Sequence, residues 1–216
     1  MKKLSLTEYL KSPCSAASLP YWKQKNLILP DSIKIVHDQV FVAENFKNYR
    51  DEKYFRLFHD LKEIGQAEHD GVTLVTATPD LVECFVTIIN ASYTDLSVTR
   101  EQLEGYRRTP VYHSDLWVLL KDDATGNFVG GEIADYDREI GELILEWIQV
   151  LPQYRGRGYG QMIVNHLLRK MQGKAKFATV SGKADNPTNP ERLYRKCGFR
   201  GNDLWHILSE KQECGQ

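Results

Sequence analysis

Apolar positions change rhythm along the chain, and the change divides it into two stretches. From Val72 the order is regular. Val72 to Ala77 alternates as a strand, Thr78-Pro79-Asp80 opens a helix with proline near its first turn, Leu81 to Ala91 continues that helix, and Thr99 to Arg107 makes a second. Leu116 to Leu120, Phe128 to Ala134 and Leu143 to Val150 predict three successive strands. The turn residues of Asp122 to Asn127 and the polar stretch Asp135 to Glu139 join them into an antiparallel meander. A helix over Gly158 to Met171 follows, with Met162, Ile163, Leu167, Leu168 and Met171 on its buried face. The chain then predicts a strand over Phe177 to Ser181, a short helix opened by Asn189 and Pro190, and extended pieces around Phe199 and over Leu204 to Leu208, joined by a hairpin turning at Gly201-Asn202-Asp203.

Before Asp70 the pattern is broken by Pro13, Pro20 and Pro30, and aromatics sit among charges. Ile33 to Val42 predicts a strand, while Glu44 to Glu63 carries Phe46, Tyr49, Phe55, Phe58 and Leu61 at mixed helical spacing. Residues 1–70 therefore read as an N-terminal extension packed on a core domain of residues 71–216. Its aromatics either seal a face of the core or, as Tyr21, Trp22, Tyr49, Tyr54 and Phe55, wall a substrate pocket.

A chain of 216 residues suits one principal core with a modest extension. A formal net charge of −1 gives no general attraction to polyanions, so neither nucleic acid nor an anionic membrane is an expected partner. Met1-Lys2-Lys3 starts like a secretory leader, but Glu8 and Lys11 interrupt the apolar run, and no stretch of roughly 18 apolar residues occurs, so the expectation is a soluble cytoplasmic protein. Four cysteines, Cys14, Cys84, Cys197 and Cys214, form no CxxC pair, and six histidines show no ligand spacing, so no metal is expected.

The informative stretch is Glu146-Trp147-Ile148-Gln149-Val150-Leu151-Pro152-Gln153-Tyr154-Arg155-Gly156-Arg157-Gly158-Tyr159-Gly160, a strand running through a glycine-rich turn into an amphipathic helix. Glycines at alternate positions let successive N–H groups point at one spot, where the helix dipole adds its positive end. A phosphate is the natural occupant, and Arg155 and Arg157 add charge and paired donors. The spacing does not fit GxxxxGK[ST], and GxGxxG fails because Ile163 stands where its third glycine belongs.

Arg155 to Gly160 resembles the [Q/R]xxGxG/A pyrophosphate-binding signature of the GNAT N-acetyltransferases, matching at Arg155, Gly158 and Gly160. The lead-in Val150-x-Pro152 is also similar, as is Asn189-Pro190-Glu191-Arg192-Leu193-Tyr194-Arg195-Lys196-Cys197-Gly198-Phe199, close to the family's NxxxxLYxxxGF element. The resemblance covers Val72 to Leu208 and implies an α/β (α+β) GNAT fold: a mixed, mostly antiparallel sheet with splayed central strands flanked by helices.

It further implies that acetyl-CoA is the co-substrate, with pantetheine along Ile148, Gln149 and Val150 and the pyrophosphate on Arg155, Gly156, Arg157, Gly158, Tyr159 and Gly160. The N–H near Val150 becomes a candidate oxyanion donor, and Tyr194 the acid that protonates the departing thiolate, unless it is simply a core tyrosine. Asn189, first of all a helix N-cap, and Asn186 are candidate cofactor contacts.

An amine of pKa near ~10 must lose its proton before it attacks. Glu146 is the first candidate base, because a carboxylate interrupting an apolar central strand should be buried with a raised pKa. Glu142, Glu132 and Asp135 are rivals, and alternation places Glu142 and Glu146 on one face. The expected reaction is direct acetyl transfer to a primary amine, small molecule or peptide, in a ternary complex. Cys197 is not expected to serve as a nucleophile, since no histidine sits at a telling spacing from it. A catalytically idle acyl-CoA-binding regulatory module is the alternative. Glu132, Asp135, Asp137 and Asp95 suit a cationic acceptor or form a solvated acidic surface; the oligomeric state, homodimer included, stays open.

Overall fold

In the computed structural model residues 4–66, 68–93 and 96–211 are described. Alternating apolar residues form β3 (Val72–Thr76), β4 (Tyr112–Asp122), β5 (Phe128–Asp137) and β6 (Glu142–Val150), the expected antiparallel meander with longer strands. Between β3 and β4 run α4 (Val82–Ser92) and α5 (Arg100–Tyr106), the latter opened by a capping box of Thr99 and Gln102. After β6 come α6 (Tyr159–Met171), β7 (Phe177–Lys183), α7 (Pro190–Lys196) and β8 (Arg200–Glu210). Ahead of all these lie α1 (Leu6–Lys11), α2 (Pro13–Ala16), α3 (Tyr21–Gln24), β1 (Ile33–His37) and β2 (Tyr49–His59). The fold is a mixed α/β architecture with a mostly antiparallel sheet flanked by helices. Among the described residues, no helix is long and apolar enough to cross a membrane.

Two compact units emerge. One holds His59–Ala178 and Leu193–Gly198, the other the chain up to Phe58, Thr179–Arg192 and the chain from Phe199. In the first, the strands run in the order β6-β5-β4-β3. Alternation sends Trp117, Leu119 and Ile133 into a cluster with Val82, Phe85, Ile88 and Ile89 of α4, while Leu120, Val129 and Val150 pack on Tyr159, Met162 and Ile163 of α6. Gly130 and Gly131 make this approach from both faces possible. A Cβ on Gly131 would stand 3.1 Å from Phe85 Cε1, and one on Gly130 would stand 3.0 Å from the Gln149 carbonyl oxygen and 3.4 Å from Ile163 Cδ1.

The other unit departs from the sequence reading in three places. Glu44 to Glu63 is not helical: its core is the eleven-residue strand β2, because Phe55 and Leu57 are buried at strand period. Ile33 to Val42 keeps its extended form only to His37, and Asp38–Val40 is a 3-10 turn. No hairpin forms at Gly201-Asn202-Asp203. Phe199 and Leu204 to Leu208 belong to one continuous run, in which β8 lies between β1 and β2 and pairs antiparallel with both. The turn-like residues instead make a bulge. Arg56 faces Asp203 and Phe58 faces Arg200, so the two strands contribute unequal lengths, and Gly201 takes up the difference at φ +116°.

Buried polar groups fasten this unit. The Arg56 guanidinium, 1% exposed, donates to Ser181 Oγ at 3.0 Å, Tyr9 OH at 2.9 Å and Thr179 Oγ1 at 3.3 Å. His206 is held between Asp51 at 2.9 Å and Asp38 at 3.1 Å and stacks on Phe41. Among the aromatics proposed as pocket walls, Phe55 is a core residue, Tyr21 packs on Tyr9, and Tyr49 donates to Glu210. A Cβ on Gly182 would stand 2.5 Å from Cζ of the buried Phe55 ring. Gly182→Ala is therefore expected to cost about 1–3 kcal/mol by overpacking. Thermal unfolding should show a Tm loss of roughly 2–10 °C, and the loss should shrink in a chain already carrying Phe55→Leu.

Candidate active site

Strand β6 ends at Val150, and the chain turns through Pro152–Tyr154 into Arg155-Gly156-Arg157-Gly158 before α6 begins at Tyr159. Gly156 at φ +79° and Gly158 at φ +88° adopt backbone angles that residues with a Cβ avoid, and Gly158 is the N-cap of α6. A Cβ on Gly160 would press on Leu193 at 3.1 Å. No backbone carbonyl among the described residues accepts from the N–H groups of Gly156, Arg157 or Gly158, and the first N–H groups of α6 have no partner inside the helix. The loop thus presents a run of free donors at the positive end of a thirteen-residue helix, anchored by Ile163, Leu167 and Leu168, each 0% exposed. This fits the pyrophosphate of an acyl-CoA.

The two arginines differ in placement. Arg157 is exposed and stacked over Tyr154; its Nη2 donates to the Gln153 carbonyl at 3.4 Å and its charge reaches Asp122, so a bound anion would share it. Arg155 is engaged: its Nε donates to the Val150 carbonyl and its Nη2 to the Ser92 carbonyl, each at 3.0 Å.

Along β6, Ile148 and Val150 pack on the α6 side, Trp147 and Leu151 on the α4 side. Gln149 shares the face of Trp147 and Leu151 and stands opposite Gly131. It is 3% exposed, and among the described residues neither carboxamide atom has a hydrogen-bond partner. Sequence reading valued Gln149 for its backbone alone. The orphan amide adds a polar group that a bound amide could satisfy.

The carboxylates are rearranged relative to expectation. Ile133 faces Trp147 and Ala134 faces Leu145, so Glu146 is the extra residue of a β-bulge and is half-buried, not fully buried. Alternation does not run through a bulge, so the inference that Glu142 and Glu146 share a face fails. The fully buried carboxylates are Glu132 and Glu142, each 0% exposed. Asp135 and Asp137 are 3% and 5% exposed, so with Glu132 they form no solvated acidic surface; Asp95 lies outside the described residues.

Among the described residues Glu132 has no hydrogen-bond partner on either oxygen, and burial holds its carboxyl well above the usual range. His166 Nε2 lies 3.8 Å away, and burial lowers its basicity. Burial pushes both groups toward their neutral forms, which weakens this contact as an ion pair.

Tyr194 on α7 is 7% exposed. Burial, with Tyr93 and Cys197 close by, pushes its phenol well above the ordinary tyrosine range, so it keeps its proton at any neutral pH. Burial pushes the Cys197 thiol up to about 12, which makes it a poor nucleophile. Cys14 is also buried, and Cys214 lies outside the described residues. Asn186 and Asn189 belong to the other compact unit. The Asn186 oxygen accepts from the Thr188 N–H and hydroxyl, and the Asn189 oxygen caps α7 by accepting from the Arg192 N–H.

A bulged strand, a glycine-built amide cradle and a helix behind it make up the candidate site. Residues 112–201 match the family described as the acetyltransferase (GNAT) domain. No protein with a curated description matches. A GCN5-related N-acetyltransferase from Sphaerobacter thermophilus aligns over 87% of this chain and 63% of its own length, at 16% identity and TM-score 0.71. An acetyltransferase of the GNAT family from Novosphingobium aromaticivorans aligns over 86% and 71%, at 12% identity and TM-score 0.55. The ribosomal-protein-S18-alanine N-acetyltransferase of Escherichia coli aligns over 67% and 97%, at 16% identity and TM-score 0.52. The chain spans less than two thirds of the Sphaerobacter protein.

Two stability predictions follow from the buried polar groups. Gln149→Met keeps the volume and removes an orphan amide whose burial costs about 1–3 kcal/mol, so the ligand-free variant should unfold at a higher temperature. For Glu132, folded pKa exceeds unfolded pKa; relative to a neutral isostere the carboxyl carries no penalty below 4.5, the ordinary glutamate value, and a growing one as pH rises toward its folded value. Glu132→Gln should raise Tm at pH 8, with the gain fading near pH 4.5.

Proposed function

We propose that the protein transfers an acetyl group from acetyl-CoA to a primary amine by direct attack in a ternary complex. The observation that carries this reading is the cradle: free amides at Gly156 to Gly158, two of them on left-handed glycines, at the start of a buried helix that follows a bulged strand.

In this reading the loop amides and Arg157 hold the pyrophosphate, and the backbone of Ile148 to Val150 lies along pantetheine. When bound, acetyl-CoA supplies an activated acetyl thioester. Glu146, set out of the ladder by the bulge and half-buried, accepts a proton from the attacking amine. Tyr194 holds its proton firmly, which makes its hydroxyl a hydrogen-bond donor that meets the departing thiolate already loaded. The Val150 N–H is the candidate donor to the developing oxyanion. Asn186 and Asn189 remain candidate cofactor contacts through atoms other than their locally engaged oxygens.

Thermal unfolding with acetyl-CoA, ATP or NADP tests the assignment. At 100 times its dissociation constant a ligand stabilises by about 2.7 kcal/mol, so acetyl-CoA should raise Tm clearly while NADP does not. Loss of this selectivity removes the assignment, and a shift without thiol release from any amine leaves a binding module. Where turnover is found, Tyr194→Phe should lower kcat by about 10²-fold or more, with little change in acetyl-CoA affinity.

A further inference from the structure

The last turn of α4 contains no basic residue, and the chain leaves at Tyr93 in an extended conformation, φ −123° and ψ 146°. A cation is favourable at this end of a helix. It is supplied from elsewhere in the sequence: Arg155 donates through Nη2 to the Ser92 carbonyl and through Nε to the Val150 carbonyl, both at 3.0 Å. One planar fork thus joins the last residue of α4 to the last residue of β6. Tyr93, the next residue, meets Trp147 edge-on, with centroids 6.0 Å apart and an interplanar angle of 83°, and lies close enough to Tyr194 to raise its hold on the proton.

We infer that Arg155 is a positioning residue: it caps the C-terminal end of α4 through the Ser92 carbonyl and so holds Tyr93 as the wall between Trp147 and Tyr194, on the acceptor side of the site. The assignment of an acceptor side rests on the acetyl-transfer reading, whereas the cap itself does not. Two donors of the fork are committed to carbonyls in the ligand-free protein, so phosphate binding falls to the loop amides and Arg157. Lysine cannot reproduce the function, because a point charge cannot span two carbonyls with fixed geometry.

The test compares Arg155→Lys and Arg155→Gln in the full chain, both at an exposed position, by amide hydrogen exchange over Ile89 to Tyr93 and by calorimetric titration with coenzyme A and with inorganic pyrophosphate. A cap predicts exchange faster by about tenfold or more in both variants, with coenzyme A and pyrophosphate affinity within about threefold of the parent. With benzylamine, spermine and a lysine peptide as acceptor probes, the acceptor KM should rise or kcat fall while the acetyl-CoA KM holds. Unchanged exchange in Arg155→Lys overturns the inference, whatever the affinities do. Accelerated exchange with coenzyme A affinity lost only in Arg155→Gln also overturns it, since that is the behaviour of a phosphate-binding charge. If the parent binds no coenzyme A, the acetyl-transfer reading fails while the exchange result still decides the cap.

Discussion

A helix cannot satisfy its own first N–H groups, and the site is built around that constraint at α6. Burying most of α6 fixes its axis, so the free donors at its N-terminus stay where β6 delivers them. Gly156 and Gly158 extend the run of donors backward into the loop, since only residues without a Cβ adopt their angles readily. Gly130 and Gly131 admit helices to both faces of the neighbouring strand, which brings α4 and α6 to the same stretch of β6. The cradle, the wall at Tyr93 and the phenol of Tyr194 are arranged around this one strand end.

The bulge at Glu146 is the second organising feature. An extra residue breaks the alternation of β6 and leaves a carboxylate half-exposed between apolar neighbours, while the carboxyl that burial neutralises, Glu132, sits two residues along β5 from Ala134.

Much of this was legible in the residues. The meander followed from period-two alternation, α6 from its buried face, and the cradle from three glycines between a strand and that helix. What escaped needs partners distant in sequence. β2 was hidden because Phe55 and Phe58, on the same strand, also fit a helical spacing, and pairing with β8 at the far end of the chain selects the strand. Gly201-Asn202-Asp203 has the chemistry of a hairpin turn, yet a strand on each side stretches it into a bulge. A bulge leaves no mark in composition, so the burial assigned to Glu146 belonged to Glu132. The engagement of Arg155 was likewise invisible, since its partners are main-chain carbonyls.

β8 pairs with β1 on one side and β2 on the other, so two strands from the first sixty residues are joined only through the final strand. On the ribosome, β1 and β2 must wait, unpaired with their eventual neighbour, while about 140 further residues are made, roughly 7–28 seconds at ordinary elongation rates. The unit that contains the N-terminus therefore closes last, and during synthesis its exposed edges, not those of the cradle, are the surfaces most in need of a chaperone.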